Sequence, residues 1–135
     1  MQADSQSPIS KTALWAGRII SALPTLFLLM DGIMKLFKPA FVVEAMVQLG
    51  YPETVIVPIG IVLTACTVLY MIPRTAVLGA ILLTGHLGGA VATHVRHNQG
   101  IFPIIFPIII GLLVWGGLWL RDNRVRALIP LRQGD

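Results

Sequence analysis

Charge is what this sequence has least of. Lys and Arg together number 10 and Asp and Glu 6 among 135 residues, so 12% of the chain is charged, against about 25% in a soluble domain. With 56% hydrophobic residues and a mean hydropathy of +0.82, a water-soluble fold of this length could not hide its apolar surface, and the solvent it calls for is lipid. Cysteine is nearly absent too. Cys66 stands alone, which excludes an internal disulfide and a CxxC pair, and with them a thiol–disulfide oxidoreductase. In mid-span it reads as a small core residue. No phosphate loop, nucleophile triad or paired-carboxylate arrangement occurs, so no catalytic residue is assigned. His94 and His97 form only an HxxH with no Cys or carboxylate beside it, and no metal site is expected. The net charge of +4 comes without a basic stripe interleaved with aromatics, so nucleic acid is not an expected partner. Basic residues flanking apolar runs read instead as topology signals and headgroup contacts. Met1 to Ser10 lack an apolar core, so no cleavable signal peptide is expected there, and residues 1–12 read as a disordered N-terminus.

What is present is a set of long uncharged runs. The most informative is Ala76 to Val95, AVLGAILLTGHLGGAVATHV, without an Asp, Glu, Lys or Arg. At about 1.5 Å per residue such a helix crosses a hydrocarbon core of about 30 Å. Ala80, Thr84, Gly88 and Ala92 form a row of small side chains down one face, with Gly85 and Gly89 as a second small-xxx-small pair beside it. Lipid supplies little hydrophobic drive between helices, so close backbone approach and hydrogen bonds must join them. Gly85, Gly88 and Gly89 are therefore expected to be helix-packing residues.

Three further spans follow the same logic: Ala13 to Lys35, Thr54 to Ile72, and Ile101 to Leu120. Pro24 lies inside the first, and Gly111, Gly116 and Gly117 allow close packing in the last. Tyr70, Trp115 and Trp119 suit the membrane interface. The turn Pro73-Arg74-Thr75 makes the second and third spans antiparallel neighbours. Between the first and second spans, Phe41, Val42, Ala45, Met46 and Leu49 fall at i, i+1, i+4, i+5 and i+8. That segment is too short to cross a bilayer and reads as an interfacial helix, ended by Gly50 with Pro52 beyond. The expected fold is all-α: a four-transmembrane-helix bundle over 13–121, a short interfacial helix between the first and second spans, and a basic tail over 122–135. Lys11, Arg18, Arg74, Arg121, Arg124, Arg126 and Arg132 fall on the side of the termini, and Lys35, Lys38 and Arg96 on the other. The positive-inside rule then puts both termini in the cytoplasm.

Polar groups at membrane depth are costly unless partnered, so they are the candidate site. His86 lies well inside the third span, with Thr93 and His97 on roughly the same face. It reads as a proton relay, a quinone contact or a metal ligand, or as a neutral histidine hydrogen-bonded across a helix interface. A haem site would want a facing histidine on another span, and there is none. Asp31 and Lys35, four apart, share a face and can pair. They read either as the mouth of a pocket or as a boundary pair worth about 1 kcal/mol or less. Asp31, Lys35, Thr84, His86 and Thr93 form the expected ligand-binding set.

Gly32-Ile33-Met34-Lys35-Leu36, Leu49-Gly50-Tyr51-Pro52, Tyr70-Met71-Ile72-Pro73-Arg74-Thr75, the run Leu83 to Arg96, and Trp115-Gly116-Gly117-Leu118-Trp119-Leu120-Arg121-Asp122 together resemble the DoxX-like small membrane proteins. The resemblance spans about Ala13 to Arg132, and Ile72 to Arg96 is its specific part. It implies a four-helix bundle in a bacterial inner membrane. The family takes its name from a subunit linked to a thiosulfate:quinone oxidoreductase. The functional expectation is a non-catalytic subunit or a binder of a hydrophobic small molecule, quinone or lipid, within the bundle. The alternative is a membrane subunit of a quinone-linked oxidoreductase such as thiosulfate:quinone oxidoreductase. Beyond the bilayer, the expected partners are that small molecule and a homo-oligomer or a redox-complex partner.

Overall fold

A computed structural model describes residues 8–132, and within them every regular element is helical. The elements are α1 (Lys11–Phe37), α2 (Ala40–Gln48), α3 (Ile56–Met71), α4 (Ala76–His97), α5 (Phe102–Arg121) and α6 (Asn123–Leu128), with single 3-10 turns at Glu53–Val55 and Pro73–Thr75. Four helices, each with its leading turn where present, are long and apolar enough to cross a membrane: Lys11–Phe37, Glu53–Met71, Pro73–His97 and Phe102–Arg121. The protein is thus a multi-pass membrane protein. α2 occupies the place expected of the short helix. Residues 1–7 of the segment expected to be disordered, and 133–135 of the tail, lie outside the described residues.

α1 shows how the sequence chooses its faces. Ser10 caps it, its hydroxyl accepting from the Ala13 N–H at 3.2 Å, and the helix continues through Pro24. Ile19, Leu23, Leu26, Met30, Ile33 and Phe37 recur at helical spacing and are all exposed. Gly17, Ser21, Pro24, Leu28, Gly32 and Lys35 are buried. Bulky apolar residues face the acyl chains and small or polar ones face protein, as association without a hydrophobic drive requires. The helix stops at Lys38, which takes a left-handed φ of 52° and donates its N–H to Met34; Pro39 then cannot extend it.

The spans form a ring in the order α1–α3–α4–α5, so that α5 closes back on α1 and α1 lies diagonally from α4. Leu28, Leu63, Tyr70, Ala80, Leu83, Val114 and Leu118 fill the centre. Three contacts in the ring turn on glycines. Between α1 and α5, a Cβ on Gly17 would lie 2.8 Å from the Gly117 carbonyl oxygen. Between α1 and α3, a Cβ on Gly60 would lie 2.9 Å from the Gly32 carbonyl oxygen. Between α3 and α4, a Cβ on Gly79 would lie 2.6 Å from the Tyr70 Cα. The antiparallel α3–α4 pair joined by the Pro73 turn is as expected.

Gly85, Gly88 and Gly89, expected to be helix-packing residues, have no other helix of the described residues against them. A Cβ on any of the three would meet nothing within 4 Å. Of the row that contains Gly88, only Ala80 is buried, and the glycines beyond it border open space. A small-residue row marks where backbone could be approached, and here no helix of the chain approaches it.

At the end of the bundle that holds the termini, Tyr70 leaves the interface where its sequence position put it and is 1% exposed. Its hydroxyl lies 2.7 Å from the Val114 carbonyl and 2.9 Å from Ser21 Oγ. A phenol has one hydrogen, so Tyr70 donates to Val114 and accepts from Ser21. Arg121 Nε donates to Ser21 Oγ at 3.3 Å, and its guanidinium lies 5.4 Å from the centre of the Tyr70 ring. The basic tail is also more structured than its composition indicates. Asp122 caps α6 by accepting from the Arg124 N–H at 2.9 Å, Val125 is buried, and Arg126 donates to the carbonyls of Trp119 and Leu120, both at 2.7 Å.

Candidate functional site

At the opposite end, α1 stops, α3 starts, α4 stops and α2 crosses between them. There the ring leaves a cavity of about 540 Å³, within the range of about 300–1,000 Å³ typical of small-molecule sites. α1 contributes Asp31, Met34 and Lys35, α3 contributes Ile59, and α4 contributes Gly85, His86, Gly89, Ala90, Thr93 and His94. The remaining wall is α2 with the loop after it: Phe41, Val42, Ala45, Met46, Leu49 and Tyr51. Gly85 and Gly89, which touch no helix, are there as floor: without side chains they leave the space open.

Asp31 and Lys35 do pair, with Lys35 Nζ 2.6 Å from Asp31 Oδ1. The side chain of Lys35 is 11% exposed and that of Asp31 36%, so the lysine is the deeper member of the pair, and both residues line the cavity. At the Gly32–Gly60 crossing the Lys35 Cβ comes so close to α3 that a Cβ on Gly60 would lie 2.8 Å from it. His86 faces the same cavity from α4, within electrostatic reach of both charges. Among the described residues it has no hydrogen-bond partner across a helix interface.

Thr93 lies on the wall with both hydrogen-bonding capacities used. Its hydroxyl donates to the Gly89 carbonyl at 2.8 Å, so it accepts from the Tyr51 hydroxyl at 2.9 Å. That bond ties the loop after α2 to α4. His97, expected beside His86, turns away from the cavity: Nδ1 donates to the Thr93 carbonyl at 3.1 Å, and the ring packs under Gly50. Gly50 has a φ of +87°, a backbone that disfavours any side chain, and His97 fills the space where one would stand. Outside the mouth, Lys38 Nζ meets Glu53 Oε1 at 3.1 Å, joining the two ends of the connection that carries α2.

Thr84 is not part of this set. It lies two positions before His86, about 200° around a helix, which turns it to the α4–α5 side. There it donates to the Ala80 carbonyl and accepts from the Trp115 indole N–H, both at 2.7 Å. It lines a second, shallower and apolar hollow of about 250 Å³ with Gly88 and Trp115.

Sequence reasoning missed Met34, Ile59 and Tyr51, and did not connect the α2 stripe to the site. All five stripe residues border the cavity, although spacing alone pointed them at lipid. The stripe was the signal, but a stripe does not say whether lipid or protein lies opposite. Nothing local links Tyr51 to Thr93, which is 42 residues on. Among the described residues no three His, Cys, Asp or Glu side chains come together as a metal site. The family model described as DoxX-like family matches residues 19–117, which takes in α3 and α4 whole, most of α1 and α5, and every residue that lines the cavity. No curated protein and no solved structure matches the chain.

Proposed function

The chain belongs to the DoxX-like family, and on that premise we propose that it holds a hydrophobic small molecule, a quinone or a lipid, in the cavity between α1, α2 and α4. It acts there as a binder or as a non-catalytic subunit of a larger assembly. The observation that carries this reading is the division of the cavity wall. Apolar residues of α2 stand on one side, and Asp31, Lys35 and His86 converge from α1 and α4 on the other. A mostly apolar pocket with a few converging polar groups is how small ligands are oriented.

Gly89→Leu tests the reading. Gly89 lines the cavity and a Cβ added there meets nothing within 4 Å, so a leucine side chain has the cavity to occupy, and leucine is the better helix former by up to about 1 kcal/mol. The variant is expected to fold at least as stably as the parent and to lose any lipid or quinone that co-purifies with the parent, as read by mass spectrometry of organic extracts. An identical set of co-purifying molecules in parent and variant overturns the reading.

The proposed setting is the bacterial inner membrane with both termini in the cytoplasm, supported by seven basic residues on the terminal side against three on the other. The cavity then opens toward the outer face. A reporter fused after Asp135 should be active only as a cytoplasmic fusion; activity on the periplasmic side reverses the orientation.

A further inference from the structure

Resting on the reading that the cavity holds a ligand, we propose that the ligand's head is uncharged and carries a hydroxyl or carbonyl oxygen, as in a long-chain alcohol or ketone, and that carboxylate, sulfonate and ammonium amphiphiles are excluded. The charges that face the cavity cancel. Lys35 Nζ is 2.6 Å from Asp31 Oδ1, so a head of either charge that reaches the pair meets the like charge directly beside the opposite one. The pair at the mouth, Lys38 with Glu53 at 3.1 Å, cancels in the same way. A charge brought into such a site leaves water without net electrostatic return.

Hydrogen-bonding capacity is nevertheless left over. One ammonium hydrogen of Lys35 is used on Asp31, and an ammonium has three. Asp31 and His86 line the cavity, and among the described residues neither Asp31 Oδ2 nor a ring nitrogen of His86 has a hydrogen-bond partner in the chain. Donors and acceptors thus stand side by side. A hydroxyl, which gives one hydrogen and accepts on its oxygen, satisfies both kinds at once, and a carbonyl satisfies the donors. The tail then lies against Phe41, Val42 and Met46 of α2.

Three probes with one tail and different heads test this on the full chain in maltoside micelles: dodecanol, dodecyl sulfonate and dodecyltrimethylammonium. Dodecanol should raise the thermal midpoint of the parent and leave that of Gly89→Leu unmoved, which separates the cavity from the micelle. Its apparent Kd should be about tenfold or more below those of the two charged probes, equivalent to about 1.4 kcal/mol. Asp31→Asn leaves Lys35 uncompensated and should shift the preference to the sulfonate. Lys35→Met leaves Asp31 uncompensated and should shift it to the ammonium, so either variant suffices if the other does not fold. A parent that binds a charged probe as tightly as dodecanol, in a manner Gly89→Leu abolishes, overturns the uncharged head and leaves the binding role standing. No probe distinguishing parent from Gly89→Leu overturns both.

Discussion

Gly79→Leu should yield no monodisperse protein, whereas Gly88→Leu, nine residues further along the same helix, should behave like the parent. The difference lies in what each side chain would meet. A Cβ on Gly79 would run into backbone alone, with the Tyr70 N nearest, the Tyr70 Cα at 2.6 Å and the Leu69 carbonyl carbon at 2.9 Å. No rotamer change can relieve a clash with backbone, so α3 and α4 must separate. Overpacking that side chains can absorb costs about 1–3 kcal/mol; here the cost should exceed that range, out of a total stability on the order of 5–15 kcal/mol. Gly88 has open space around it, and its substitution should change stability by no more than about 0.5 kcal/mol. Size-exclusion profiles and thermal midpoints in maltoside decide the matter. A Gly88→Leu variant as damaged as Gly79→Leu would show that a second molecule packs on that face of α4.

The second large effect is expected at Tyr70. The Tyr70 hydroxyl joins Ser21 of α1 to the Val114 carbonyl of α5 from its place on α3, all of it buried. Tyr70→Phe keeps the ring under Arg121 but leaves the Ser21 hydroxyl with only the 3.3 Å contact from Arg121 Nε. Stripping a partner from a buried polar group costs about 1–3 kcal/mol. Ser21→Ala removes the other member. The double variant should therefore lose less than the sum of the two singles, because once one hydroxyl is gone the other has less to lose. Strict additivity in thermal or chemical unfolding would mean that the two hydroxyls do not interact.

These two positions also show how far the sequence could be read. The four spans are legible because uncharged runs of membrane length have no other stable home, and the α2 stripe is legible because nine residues suffice to show a helical period. Which glycines touch is not. Gly79 and Gly88 both sit in the same uncharged run, and only the ring order decides that one meets α3 while the other borders a hollow. Tyr70 lies near a span end, where aromatics usually meet headgroups. It goes inward because Ser21 and Val114, on two other helices, offer its hydroxyl partners. Asp31 and Lys35 were legible as a pair from their spacing. Thr84 was assigned to their site because it is polar and near His86 in sequence, and the rotation between the two residues on α4 sends it elsewhere. Tyr51, which fastens the cavity wall, depends on a contact that no local pattern carries.

The ring closes through helices that are far apart in synthesis. Arg121 and Ser21, which meet at the seam, are 100 residues apart, and the Gly17–Gly117 contact has the same character. While the ribosome works, the first three spans can form only an open arc, and Ser21 with the bare backbone at Gly17 must wait in the bilayer beside acyl chains. The last span to enter is therefore also the latch, and a chain released before α5 emerges would present a sticky seam to any other unfinished helix within reach.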